Sequence, residues 1–201
     1  IARELGINCA AFAAVGTHDT ASAVAAIPGS GSFAFCSSGT WSVFGMEAEF
    51  PLLTDEVRDA GFSNEGNVQG GFCPLKNIMG LWLIQECRRE WQAEGMSLSW
   101  DEIVREAEAA EPFRSIIDTD HAPFFSGTRI RQKIRQFCAA TNQPLPDTVG
   151  RFARCIYESL ALKYRYTLEK LSEIKGQSID SLNIVGGGSR NRLLNQFAAD
   201  A

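Results

Sequence analysis

The chain has 201 residues, 45% of them hydrophobic, and a formal charge of -5. This is enough chain for one well-buried domain, and a pI near 5.1 leaves no basic footprint for general nucleic-acid binding. No run approaches the roughly 18 apolar residues of a membrane span and no charged-then-apolar leader opens the sequence, so a cytoplasmic protein without membrane contact is expected.

Residues 1–31 read as a short lead-in, a loop over Val15-Gly16-Thr17-His18, and a small-residue helix from about Thr20 to Ala26 that Pro28 ends. Phe33-Ala34-Phe35-Cys36 and Trp41-Ser42-Val43-Phe44 form a candidate hairpin around the turn Ser37-Ser38-Gly39-Thr40. Residues 47–71 read as irregular, with Asn64-Glu65-Gly66-Asn67 as the clearest turn signal. Ile78, Leu81, Trp82 and Gln85 fall on one face of a helix expected from about Leu75 to Ala93.

Ser99 and Glu102 have capping-box spacing and open an acid-rich helix, read as a solvated face, that ends by Pro112. Ser115-Ile116-Ile117-Asp118 is a candidate short strand, and a helix is expected from about Thr128 to Ala140. The longest helix follows, with Asp147 as its expected cap. Val149, Phe152, Ala153, Ile156, Leu160, Tyr164, Leu168 and Leu171 keep three- and four-residue steps along it, the pattern of a central packing helix that Gly176 stops. Leu182-Asn183-Ile184-Val185 then reads as a buried strand running through Gly186-Gly187-Gly188 into a final helix. The opening at Ile1 and the end at Ala201, inside that helix, lead us to expect a piece of a longer protein.

Cysteines at 9, 36, 73, 87, 138 and 155 show no Cys-x-x-Cys spacing, so buried thiols are expected rather than zinc or a disulfide framework, and no metal-ligand set is expected around His18. Asp19 stands at a helix start, where an acid serves equally as a cap or as an oriented general base. The Gly39-Thr40 turn is a plain hairpin turn or a phosphate site, Gly39 allowing close approach and Thr40 adding a hydroxyl. The triple glycine with Ser189 and Asn191 has the outline of a nucleotide loop or of simple strand-to-helix packing. It satisfies neither the dinucleotide fingerprint nor the Walker loop. Asn77 and Gln85, on one expected helix, would lie about 12 Å apart along its axis, either as surface amides or as contacts at two ends of a cleft.

Taken in order, these segments resemble the C-terminal half of an FGGY-family carbohydrate kinase. The resemblance rests on Thr17-His18-Asp19-Thr20-Ala21-Ser22-Ala23-Val24, Ser37 to Ser42, Leu75 to Leu83, Ala153 to Ala161, and Val185-Gly186-Gly187-Gly188 with 191–200. It implies an α/β, actin-like (ribonuclease H-like) fold: a mixed sheet with helices on both faces, forming one of two domains around a cleft. The implied activity is transfer of the ATP γ-phosphate to a sugar with Mg2+. The Lys76 to Leu83 segment points to the members that act on O1 of L-rhamnulose. In this resemblance Asp19 matches the general base, with His18, Thr20 and Asn77 as further sugar contacts. Gly39, Thr40, Gln85 and Gly187 match nucleotide contacts, with Gly188 and Asn191 extending that set. The family's N-terminal domain, with its own phosphate loop, has no counterpart in these residues, so this stretch holds one wall of the cleft and little turnover is expected from it alone. The competing expectations are a relative acting on xylulose, fuculose, ribulose or glycerol, and a non-catalytic nucleotide- or sugar-binding module of the same fold.

Overall fold

A computed structural model describes residues 2–6, 19–28 and 32–201; the loop over Val15 to His18 and Cys9 lie outside the described residues. In chain order the elements are α1 (Ala2–Leu5), α2 (Asp19–Ala25), β1 (Phe33–Ser38), β2 (Trp41–Met46), α3 (Asp55–Asp59), β3 (Ser63–Gly66) and β4 (Phe72–Met79). They continue with α4 (Trp82–Ala93), α5 (Trp100–Ala109), α6 (Ile130–Ala140), α7 (Val149–Lys175), β5 (Ser181–Val185) and α8 (Arg192–Asp200). Single 3-10 turns occupy Ala122–Phe125 and Gly187–Arg190.

The five strands form one mixed sheet in the order β3-β4-β2-β1-β5. The β1–β2, β2–β4 and β3–β4 pairs are antiparallel, whereas β5 returns after four helices to lie parallel to β1. This pairing decides where the loops go. The end of β1, the start of β2, the end of β4 and the end of β5 all fall at one end of the sheet, since Trp41 pairs with Met79 and Ser37 with Val185.

Strand alternation sends side chains to two differently covered faces. Ala34, Cys36, Phe44, Met46 and Ile78 join the main core with residues of α4, α5, α6, α7 and α8. Phe35, Cys73 and Leu75 meet Val24 of α2 on the opposite face, with Ile27 and Val43 beside them. Helices therefore cover both faces, the second through α2 alone among the described residues.

α7 runs 27 residues and buries Phe152, Ile156, Leu160, Tyr164 and Leu171 as the stripe requires. Its N-cap is Thr148, whose side chain accepts from Arg151 N, and its left-handed C-cap is Gly176. Asp147, the cap expected from sequence, instead pairs with Arg151 on the surface, 2.7 Å from its guanidinium. The capping box at Ser99 is present in full at the start of α5. α5 crosses α7 at Gly150, where a Cβ would come within 2.2 Å of Glu106 O. Arg154 holds the same C-terminal end of α5, donating to the carbonyls of Ala107, Glu108 and Ala110, while its Nε pairs at 2.7 Å with Glu158. The second oxygen of that buried carboxylate accepts from Phe113 N at 2.8 Å.

Several expectations change. Residues 72–79 are a strand, not the first turns of a helix: β4 is buried on both faces, so Ile78 joins Leu81 and Trp82 in a helical spacing by accident. Asn64, Glu65 and Gly66 belong to the edge strand β3 rather than to a turn. Asn64 exchanges hydrogen bonds with Leu52 N and O, at 2.9 and 2.8 Å. Ser115–Asp118 is not a strand: the Gln143 amide, bonded to Ile116 N and O, and Ser159 Oγ, which accepts from Ile117 N, occupy backbone groups a strand would pair. The hairpin strands reach Ser38 and start at Trp41, which narrows the turn to Gly39 and Thr40. β5 is half-buried rather than buried. The five described cysteines are buried free thiols, and burial pushes the Cys36 thiol up to about 12.

Candidate functional site

The site is assembled where the sheet topology brings three junctions together: the β1–β2 turn, the β4–α4 joint and the loop after β5. In the turn, Gly39 N donates to Trp41 O at 2.9 Å. The β4–α4 joint is fixed onto this turn by Leu81 N donating to Gly39 O at 2.9 Å and Trp82 N donating to Thr40 O at 3.1 Å. Gly80 makes that approach possible, for a Cβ there would sit 2.7 Å from Ser42 Oγ and 2.8 Å from Gly39 O. The joint places Gln85 on α4 beside the turn, where its Oε1 accepts from Thr40 Oγ1 at 3.3 Å.

Two of the three glycines after β5 are required by the protein's own packing, and the third is not. Gly186 has φ +83°, and a Cβ on it would also meet Ser38 O at 2.8 Å. Gly188 lies against Ser38 at the end of β1, with an added Cβ only 2.1 Å from the Ser38 Oγ. Gly187 has ordinary backbone geometry and nothing within 4 Å of where its Cβ would be, so only open space separates it from a side chain. Asn191 caps α8 by accepting from Leu194 N at 3.1 Å. It lines a pocket with Tyr157, a buried phenol that desolvation pushes up to about 12.

These residues wall a pocket of about 540 Å³. Its lining joins Gly39, Thr40 and Gln85 with Gly187, Gly188 and Asn191; Leu81, Ile84, Trp100, Val104 and Tyr157 give it an apolar part, and Asp101 and Arg190 its charged groups. A polar, glycine-lined end joined to an apolar slot is a chemistry suited to a phosphate-bearing aromatic ligand.

A second pocket of about 400 Å³ lies on the α2-covered face and is lined by Asp19, Thr20, Trp41, Val43, Glu65 and Asn77. Asp19 opens α2 and its Oδ1 accepts from Thr20 N at 2.8 Å. Asn77 reaches this pocket from β4, opposite Val43 of β2, so it shares a face with that residue. Here the single-helix expectation is corrected: Asn77 is on a strand and Gln85 on the following helix, and they line two different pockets. Thr40 and Trp41, consecutive residues of one hairpin, also divide between the two. The β1–β2 turn is the partition.

Of the residues singled out from sequence, Asp19, Thr20 and Asn77 are brought together in one pocket and Gly39, Thr40, Gln85, Gly187, Gly188 and Asn191 in the other. His18 lies outside the described residues. Trp41 and Glu65 in the first pocket and Trp100, Asp101, Val104, Tyr157 and Arg190 in the second went unread. The α5 residues carried no signal beyond an aromatic placed directly after the capping Ser99, on a helix read as solvated. Among the described residues no group of three or more His, Cys, Asp or Glu is placed to hold a metal, and no helix is long and apolar enough to cross a membrane.

The model of the FGGY family of carbohydrate kinases, C-terminal domain, matches residues 34–201. A rhamnulokinase of Bacteroides thetaiotaomicron is 46% identical over 197 residues, covering 98% of this chain and 40% of that protein. A rhamnulokinase of Bacillus subtilis is 39% identical over 187 residues, 92% of this chain and 38% of that protein. Among solved structures, a xylulose kinase from Rhodospirillum rubrum superposes with a TM-score of 0.64 at 19% identity, across 90% of this chain and 35% of that one, a likeness of fold. The chain thus spans about 40% of the length of the first of these relatives.

Proposed function

The chain belongs to the FGGY family of carbohydrate kinases, within the C-terminal domain of that family, and from this we propose that the protein transfers the γ-phosphate of ATP to O1 of L-rhamnulose, giving L-rhamnulose 1-phosphate and ADP. The observation that carries the proposal is the partition: an acid-bearing pocket and a glycine-lined pocket meet at one hairpin turn, with consecutive residues facing each. Similarity to rhamnulokinases at 38–46% identity supports the choice of sugar.

In this reading the sugar lies against Asn77 and Thr20 with its O1 hydroxyl at Asp19. The carboxylate takes the hydroxyl proton as the new O–P bond forms and the bond from phosphorus to the ADP oxygen breaks. Thr40 Oγ1, positioned by Gln85, and the backbone at Gly39 stand where the transferring phosphate passes. The open space at Gly187 fits a nucleotide, since a ligand there displaces no protein atom. Magnesium would travel with the triphosphate, the described side chains offering it no cage of their own. A further domain, implied by the family resemblance and by the greater length of the relatives, would supply the facing wall, and the reaction would take place in the cytoplasm.

The test is ADP release by the intact protein with Mg-ATP and L-rhamnulose, L-fuculose, D-xylulose or glycerol. The highest kcat/KM is expected with L-rhamnulose. Preference for another sugar would transfer the assignment to a different member activity, and no release with any of the four would leave a binding module.

A further inference from the structure

The nucleotide reading of the larger pocket leaves Trp100 without a purpose. It is 43% exposed, on the first turn of a helix, where a large apolar ring gains little from burial. Yet it is held firmly. The capping box fixes the backbone next to it, through Ser99 N donating to Glu102 Oε2 at 2.8 Å and Glu102 N donating to Ser99 Oγ at 3.2 Å. The Arg88 guanidinium lies over the indole, 4.5 Å from the ring centroid, and is itself anchored by Nε donating to Leu98 O at 2.8 Å.

Trp100 lines the pocket and Arg88 does not. The guanidinium therefore takes one face of the indole from outside, which leaves the other face for a flat group held within. Gly187 and Asn191 line the same pocket, and Leu81, Ile84 and Val104 complete its apolar part. A preorganised, half-exposed indole beside such a slot is a stacking surface, for an aromatic ring ordered in advance costs a ligand little entropy to meet.

We infer that Trp100 is the stacking wall for the nucleobase and Arg88 the residue that positions it, an inference that rests on the nucleotide reading of this pocket. Trp100 sets affinity for nucleotides over phosphates that carry no base, while the Gly39-Thr40 turn and Gly187 deal with the phosphates. Val104 and Ile84 exclude water from the ring edge.

The test is calorimetric titration of the intact protein with ADP and, separately, with inorganic tripolyphosphate. Trp100→Ala is expected to weaken ADP binding by about tenfold or more, the usual cost of a lost base-stacking partner, and to leave tripolyphosphate binding unchanged. Trp100→Phe should restore most of the loss. Trp100→Leu keeps apolar bulk without a flat ring and should resemble the alanine variant. ADP affinity in Trp100→Ala or Trp100→Leu equal to that of the parent would overturn the inference and leave the nucleotide reading intact, as would an equal loss for ADP and tripolyphosphate. A parent protein that binds no ADP would remove both.

Discussion

Replacing Asp19 by asparagine in the intact kinase is expected to lower kcat by about 10²–10⁴-fold, the usual contribution of a positioned base. ADP affinity and thermal stability should stay where they were. The asymmetry follows from geometry. Asp19 lines the pocket on the α2-covered face, whereas every residue assigned to the nucleotide lines the pocket beyond the hairpin turn. Asparagine is nearly isosteric and retains an oxygen for the 2.8 Å bond from Thr20 N, so α2 keeps its start. What it loses is the capacity to take a proton. A fall in ADP affinity or in Tm that tracks the fall in kcat would instead make Asp19 a structural cap.

The loop after β5 offers the second large effect, and here two adjacent glycines are expected to fail in opposite ways. Gly187→Val should weaken ADP binding by tenfold or more, equivalent to at least about 1.4 kcal/mol, with little change in Tm, because its side chain would enter open space that the ligand needs. Gly188→Val should unfold the protein more readily, by about 1–3 kcal/mol or more, because its Cβ would be driven into Ser38 at the end of β1. Denaturant titration and ADP calorimetry on the two variants separate the cases. Both variants losing stability equally, with ADP affinity intact in Gly187→Val, would reduce the loop to packing.

How far the sequence carried these conclusions depended on the range of the interactions involved. α7 was readable because a stripe from Phe152 to Leu171 repeats over a 27-residue helix, and α5 because its capping box is local. β4 was not. With Cys73 and Leu75 buried on one face and Ile78 on the other, its alternation is masked, and the neighbouring Leu81 and Trp82 supply a false helical period. Asn64 has turn chemistry, but its amide pairs with the Leu52 backbone and ties that residue to β3. Thr148 displaced Asp147 as the α7 cap, leaving that carboxylate to Arg151.

The site divides in the same way. Asp19, Gly39, Thr40 and Gly187 stand in short segments whose residue types suit acid–base or phosphate chemistry, and the family resemblance joined them. The resemblance also assigned Asn77 and Gln85, although the helix expected to carry both is a strand followed by a helix. Nothing local marks Trp100, Val104 or Tyr157. They reach the pocket because Gly150 lets α5 settle onto α7 and Arg154 holds its last carbonyls, contacts between residues more than 40 positions apart.

The most direct measurement is a crystal structure of the intact protein with ADP and L-rhamnulose bound together. The account predicts the diphosphate at the Gly39-Thr40 turn, the base between Trp100 and Gly187, and the sugar on the other side of that turn with O1 within hydrogen-bonding distance of the Asp19 carboxylate. Sugar and nucleotide lying in the same pocket, or a sugar hydroxyl other than O1 at Asp19, would contradict it.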